Sequence, residues 1–274
     1  MFRNTSLISF IGKMFAAISL LLAALFVEFG LMFFHKQENQ IKDVKVNLLI
    51  GLCLIVLGIF MKGVQFSLYS VAYNFSLFKP ALSWWIWIVG FLACDLVHYF
   101  YHWLGHHTRI FWAAHVTHHS SEFLNLSTGL RTNFLHLFYR FLFWTPLCSL
   151  GFPPEMVMFI ESVTAIDNFL VHTEKVGKLG KFDLIFNSPS NHRVHHGTQP
   201  EYLDKNLGGL FMIYDHLFGT YAKETTAPVY GITHNIHTHN PVTIITHEYV
   251  RLKKELPGIK GFRKKLGYLF SRPT

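Results

Sequence analysis

Six histidines fall between His102 and His119, in HWLGHHTRIFWAAHVTHH, directly after a long apolar run. On a helix, His102 and His106 stand at i and i+4. His115, His118 and His119 stand at i, i+3 and i+4, so each set projects imidazoles from one face. The same triplet spacing recurs further along in His192, His195 and His196. Neutral imidazole is the commonest metal-binding side chain, and histidines at helical spacing converge several ligands on one ion. The pattern predicts a metal centre with two metals. The competing reading, polar faces of surface helices, needs a coincidence at three separate spacings.

The elements that must position these residues are apolar. Residues 14 to 34, MFAAISLLLAALFVEFGLMFF, are long enough to cross about 30 Å of hydrocarbon as a helix, with Glu28 as their only charge. A signal peptide is the alternative, disfavoured by the length of the run and by the lack of a small-residue cleavage pattern after it. A polar connector, HKQENQIKDVKVN, is expected before a second run from Leu48 to about Tyr73, within which Lys62 either snorkels or marks an end. The third run, ALSWWIWIVGFLACDLVHYFY, opens with interfacial tryptophans and delivers His102 from its far end. Two further apolar stretches, FLHLFYRFLFWTPLCSL and PPEMVMFIESVTAIDNFLV, are joined by a GFPP turn and contain Arg140, Glu155, Glu161 and Asp167. They read as spans packed on other helices or as a re-entrant hairpin. Either arrangement returns the chain to the side it left.

Composition agrees with a membrane protein: 51% of residues are hydrophobic and only 15% charged, where soluble domains carry roughly 25%. The net charge of +8 is uneven, with 14 of the 24 Lys and Arg beyond residue 172. Beside membrane spans, such a tail marks the cytoplasmic side and anionic headgroups more simply than nucleic acid. Counting Lys and Arg on each side puts Lys36, Lys42, Lys45, Arg109, Arg131 and the tail together with the histidines. Arg3, Lys13, Lys62 and Lys79 remain opposite, so the histidines are expected to face the cytoplasm, in a bacterial inner membrane or endoplasmic reticulum. The segment RLKKELPGIKGFRKKLGYLFSR alternates basic and apolar residues and suits an anionic membrane surface, with a partner-docking or solvated tail as alternatives. Cys53, Cys94 and Cys148 each lie in apolar runs without paired spacing and read as small buried hydrophobes.

The order HxxxH, HxxHH, HxxHH after a membrane span resembles the sterol desaturase and fatty acid hydroxylase superfamily of membrane-bound di-iron oxygenases. WAAHVTHHSSEFLNLSTGLR, HTE at 172 to 174, NSPSNHRVHHG, DKNLGG and DHLFGTY resemble its alkylglycerol monooxygenase branch. The similarity runs from about Trp84 to His234. The resemblance implies metal ligands at His102, His106, His115, His118, His119, His192, His195 and His196. His172 falls on the family's additional histidine, and Asn168, one turn earlier, is a candidate ligand directly or through water. One departure is that His102 is followed by Trp103 where the family commonly has arginine. The resemblance also implies two iron ions, O₂, and hydroxylation of a glyceryl ether beside its ether oxygen, with tetrahydrobiopterin as reductant. Zinc would replace iron readily on purification.

Asp95, a charge inside a membrane run, is expected to orient a ligand histidine. Glu122 and Glu174 are candidates for groups supporting the ligands or contacting substrate, with solvated surface carboxylates as the alternative. His98 shares the face of His102 and His106 and reads as a ligand or as a buried, hydrogen-bonded histidine. Asp215 and His216 are expected to fix a turn, and His234, His237, His239 and His247 to meet solvent.

The expectation is therefore an all-α integral membrane protein of about four transmembrane or hairpin helices with a cytoplasmic histidine-rich cap holding a dimetal site. Residues 1–80 form N-terminal membrane helices and residues 81–274 the catalytic domain. The predicted activity is O₂-dependent hydroxylation of a lipid, with electrons from an external donor. Desaturation or hydroxylation of a sterol or fatty acyl chain is the alternative within this chemistry. A zinc-dependent membrane hydrolase is the alternative outside it, but such an enzyme typically needs only three protein ligands.

Overall fold

The computed structural model describes residues 23, 25–35, 37–81 and 83–273. Among them the secondary structure is helical throughout, with two isolated bridges, Phe186 to Phe211 and Gly197 to Tyr230, in place of any strand. Most of the expected span over residues 14–34 lies outside the described residues, which contain its last part as α1 (Leu25–Phe34).

The second helix, α2 (Glu38–Asn74), begins about ten residues earlier than the polar connector suggested and continues through Lys62. The connector contains no Pro or Gly to stop a helix. Its polar side chains are also used internally. Arg131 Nη1 donates to Asp43 Oδ1 (2.9 Å) and Asn47 Oδ1 (3.1 Å), and Ser121 Oγ donates to Asp43 Oδ2 (2.7 Å). At 37 residues, α2 is about 55 Å long, more than a bilayer requires. It and α3 (Trp84–His107) are the two helices, among the described residues, long and apolar enough to cross a membrane.

Two shorter helices, α5 (His136–Ser149) and α6 (Pro154–Leu170), form a hairpin around Gly151, whose φ of +101° suits a residue without Cβ. Their outer ends meet again at the histidines, through His136 beside His115 and through His172 beside His118. The core lies where α2, α3, α5 and α6 meet, with Tyr69, Ile86, Cys94, Trp144, Cys148, Val157 and Ile160 all buried. One carboxylate inside these apolar helices is held by hydrogen bonds: Glu161 accepts from Gln65 Nε2 (2.6 Å) and the Tyr69 hydroxyl (3.1 Å). Likewise Glu28 in α1 accepts from the Leu126 amide (2.7 Å) and the Thr173 hydroxyl (3.0 Å).

The polar end is built from α4 (Arg109–His119), α7 (Pro189–His195), α8 (Ile213–Phe218), α9 (Pro241–Glu255) and α10 (Phe262–Leu269), with 3₁₀ turns and long loops between them. A single extended residue, Thr108, separates α3 from α4 and turns the chain back on itself. This elbow presses His115 against Gly105, where an added Cβ would lie 3.3 Å from the imidazole. Arg109 anchors the polar end through ion pairs to Glu248 (3.4 Å) and Glu255 (2.9 Å).

Candidate metal centre

Nine histidines converge in two groups. His102, His106, His115, His119 and His195 form the first, and His118, His172, His192 and His196 the second, with the candidate ligand atoms of each group within 4.8 Å of one another. All nine were expected from the sequence, and neither group includes a carboxylate or thiol.

The two HxxHH triplets divide in a reciprocal way. Successive residues on a helix are rotated by about 100°, so i and i+4 lie about 40° apart while i+3 and i+4 diverge by about 100°. His115 and His119 accordingly share the first group and His118 turns to the second. In α7 and the residue after it, His192 and His196 share the second group and His195 turns to the first.

Within the groups the Nε2 atoms face one another closely: 3.0 Å between His102 and His115, 3.1 Å between His115 and His119, and 3.1 Å between His118 and His172. The spacing is 2.9 Å between His172 and His192 and 3.2 Å between His192 and His196. Metal–imidazole bonds of about 2.1 Å place adjacent ligands of a five- or six-coordinate ion about 3.0 Å apart and those of a tetrahedral ion about 3.4 Å apart. The observed spacing lets the rings of each group share one ion. Nε2 of His106 and of His195 are buried without a hydrogen-bond partner, as expected of atoms whose lone pairs are reserved for an ion.

In five of the nine rings the opposite nitrogen is tied to the protein. His102 Nδ1 donates to Leu207 O (2.9 Å), His106 Nδ1 to Asp204 Oδ1 (3.2 Å) and His195 Nδ1 to Lys205 O (3.0 Å). In the second group His118 Nδ1 donates to Arg131 O (3.3 Å) and His172 Nδ1 to Asn168 O. These bonds fix the tautomer with Nε2 unprotonated and pointing inward. Burial reinforces it, pushing the His115, His118, His119, His192, His195 and His196 imidazoles well below their ordinary pKa. His172 is pushed down to about 4 by the same cause, against the hydrogen bond to Asn168. Neutral rings are the form a metal binds.

The loop Asp204–Leu207 thus orients three ligands of the first group. Asp204 and Asn206 adopt left-handed backbone, φ +57° and +54°, which their short polar side chains tolerate. Asp215 accepts from the Leu207 and Gly208 amides (both 2.7 Å), fixing a turn as expected, and Asp95 accepts from the Leu210 (2.6 Å) and Phe211 (3.2 Å) amides. Asp95 thus binds the backbone just beyond Leu207, the residue whose carbonyl meets His102. Gly209 passes so close that a Cβ would stand 2.6 Å from Asp95 Oδ1 and 3.0 Å from the His98 ring. Asp204 was not singled out in the sequence, although it stands in the DKNLGG segment. An acidic residue between the last histidine triplet and a Gly-Gly pair was the available signal.

The remaining candidates lie elsewhere. The described bond of Asn168 to the cluster is made by its carbonyl, while the residue also lines a cavity with His172. Glu122 pairs with His237 (2.9 Å) and Glu174 accepts from the Tyr230 hydroxyl (3.0 Å), both near the surface. His98 stands beside His102, its Nδ1 buried and unpartnered. Trp103, at the family's usual arginine position, stacks on His107.

Two cavities reach the cluster. One is lined by His98, Tyr101, His102, His118, Arg140 and Phe169, among α3, α5 and α6. The other lies on the polar side, lined by His106, Trp112, His195, Asp204, Ile232 and Arg272.

Known proteins are similar in sequence to most of this chain. Alkylglycerol monooxygenase of Homo sapiens is 34% identical over 258 residues, covering 93% of this chain and 57% of that protein. The Danio rerio enzyme of the same name is 36% identical over 236 residues, covering 85% and 53%. An ornithine lipid hydroxylase of Rhizobium tropici is 31% identical over 135 residues, covering 49% of this chain and 41% of its own length. The chain spans about half the length of the curated relatives it matches. No solved structure matches it significantly. Residues 87–220 match the fatty acid hydroxylase family and enclose all nine converging histidines, and most of the chain is similar to the alkylglycerol monooxygenases.

Proposed function

We propose that this protein is a membrane-bound di-iron monooxygenase that hydroxylates a lipid with O₂. The observation that carries the reading is the pair of all-histidine groups, buried and held with their lone pairs inward at the end of a candidate membrane span. Two iron ions bound by the five- and four-histidine groups would supply the O₂ activation that breaking an unactivated C–H bond requires. Imidazole-rich sites suit iron as well as zinc. Nine imidazoles in two groups exceed the three ligands typical of a zinc hydrolase.

The residues around the ligands have separable tasks. Asp204, Lys205 and Leu207 hold the first group's rings in register, and Arg131 and Asn168 do so for the second. The cavity between α3, α5 and α6 accepts the lipid, its apolar chain lying along Phe169 and Ala165 and its oxygen-bearing part near Tyr101 and Arg140. Residues 81–274 form the catalytic unit, since every converging histidine lies between 102 and 196. Residues 1–80 are assigned to the N-terminal membrane helices, of which α2 braces the catalytic unit through the Asp43–Arg131 pair.

The α5–α6 hairpin completes four membrane elements with α2 and α3, and the histidines face the cytoplasm, where Lys and Arg accumulate. By similarity to the alkylglycerol monooxygenases, the substrate is a glyceryl ether, and the motif resemblance implies tetrahydrobiopterin as the reductant. Sterol or fatty-acyl hydroxylation is the second choice.

The test is metal identity and stoichiometry in protein made with iron and purified without chelator or metal-affinity resin, combined with lipid product analysis under ¹⁸O₂. Two irons per chain and an ¹⁸O-labelled product are expected. A single zinc with no O₂ consumption would refute the assignment.

A further inference from the structure

The polar end of the molecule does not sit clear of α3. The Tyr214 hydroxyl of α8 donates to Leu92 O (2.7 Å), and Asp95 binds the Leu210 and Phe211 amides. Leu92 lies about 22 Å, and Asp95 about 18 Å, along the helix from its end at His107. The Phe218 ring stacks on Tyr99 (5.1 Å between centroids) and packs on Phe100 (5.4 Å). If α3 crosses a bilayer of about 30 Å hydrocarbon thickness, α8 runs beside it well below the headgroups.

The outer surface of α8 is what such a position requires. Ile213, Leu217 and Phe218 are 51%, 69% and 47% exposed, although each is a large apolar side chain. The adjoining 3₁₀ segment continues the surface with Phe182, Leu184 and Ile185, and is tied to α8 by His216 Nε2 donating to Leu184 O (3.0 Å). The ridge meets α3 at Leu92 and Phe100, and Ile88 and Val89 further along that helix are exposed apolar residues as well. At its border Lys178, Lys181 and Lys223 line one cavity. Of the two carboxylates there, Glu224 is neutralised by Arg193 (2.8 Å) and Asp183 is engaged by the Leu179 amide (2.9 Å).

We propose that α8 and the segment 176–185 form a foot of the catalytic domain immersed in the same leaflet that α3 leaves. Lys178, Lys181 and Lys223 then meet anionic lipid headgroups. The occupant is the bilayer because the ridge merges with the face of a membrane-crossing helix, where a protein partner would have to displace lipid from both. Basic residues at the rim of an inserted apolar surface match the charge of an anionic leaflet.

The inference rests on α3 spanning the membrane, so the experiment reports on both. The full chain, with Cys53→Ser to remove the exposed thiol, is reconstituted into nanodiscs of phosphatidylcholine with or without phosphatidylglycerol. Single cysteines, Leu217→Cys in the foot, Ile88→Cys in α3 and Lys253→Cys on exposed α9, are labelled with bimane. Quenching by nitroxide-bearing lipid is compared with quenching by aqueous iodide, and Ile213→Cys serves as a second position in the foot.

Lipid-borne quenching several-fold stronger than iodide quenching is expected at Leu217, Ile213 and Ile88, with the reverse at Lys253. Iodide quenching at both foot positions, with Ile88 still in lipid, would overturn the proposal and leave the span intact. Iodide quenching at Ile88 as well would overturn the span on which it rests. Phosphatidylglycerol is expected to increase lipid quenching at Leu217, and replacing Lys178, Lys181 and Lys223 with Gln to abolish the increase. An increase that survives the three substitutions would overturn the role of the lysines.

Discussion

Removing the Asp204 carboxylate should loosen the metal of the five-histidine group. Asp204 Oδ1 accepts the Nδ1–H of His106, and the aspartate side chain is 38% exposed against 5% for the histidine. Loss of a carboxylate behind a ligand histidine typically costs about 10- to 100-fold in metal affinity. Exposure of Asp204 to water screens the interaction. The lower end applies, about tenfold or 1.4 kcal/mol, for Asp204→Ala. Asp204→Asn keeps an oxygen acceptor without the charge. Charge-assisted bonds are roughly twice as strong as neutral ones, so about half the effect remains, roughly threefold. Backbone strain separates the two variants further. Alanine at φ +57° carries about 1 kcal/mol of left-handed strain that asparagine largely avoids, and this lowers thermal stability without entering the metal affinity of the folded protein. Equilibrium competition against a chelator gives the affinity, and thermal unfolding gives the strain. A folded Asp204→Ala protein that holds metal within about twofold of wild type would refute the claim that this carboxylate supports His106.

Three other outcomes follow from the geometry. His118→Ala and His195→Ala should abolish turnover, each emptying its own group while the protein still inserts. His237→Ala, whose ring is 73% exposed beside Glu122, should leave both metals and activity in place, and retained turnover in either buried variant would contradict the ligand assignment. Gly209→Ala should destabilise the fold by about 1–3 kcal/mol through overpacking against Asp95 and His98; an unchanged unfolding midpoint would show that the loop has room. Burial pushes the Glu224 carboxyl up, but hydrogen bonds from Arg193 and Ser190 outweigh it and hold the group below the usual glutamate range. Its stabilisation is therefore complete above the unfolded-state pKa and is lost as pH falls through the lower folded-state pKa. Glu224→Gln should flatten that acid limb of the stability profile, and an identical limb in both proteins would exclude the pair as its source.

The nine histidines were legible because helical spacing is a local property: His115 and His119 share a face wherever α4 sits. The HxxHH pattern even contains the division between groups, since the i+3 residue points away from the i, i+4 pair. Which triplet would complete which group depended on the Thr108 elbow and on the placement of α7, neither of which has a periodic signature. The supports were harder still to read. Leu207, Lys205, Arg131 and Asn168 contribute backbone carbonyls, which every residue has. Glu122 and Glu174, candidates for supporting the ligands or contacting substrate with surface carboxylates as the alternative, pair with His237 and Tyr230. The start of α2 was missed because polarity was read as a loop, when Asp43 and Asn47 are polar in order to bind Arg131 inside the protein.

The reciprocal division of the two triplets governs how the protein can be made. The first group waits for His195 and the second for His192 and His196, so neither set is complete while only the early histidines have left the ribosome. By then α3, α5 and α6 have already been synthesised, and His172 is brought to its place by the end of α6. A chain arrested before residue 192 would carry six of the nine histidines with neither set complete, four of them in the first group and two in the second. Completion of both sets is thus a late event in synthesis, and because each triplet reaches into both groups, a shift of either helix moves ligands of both at once.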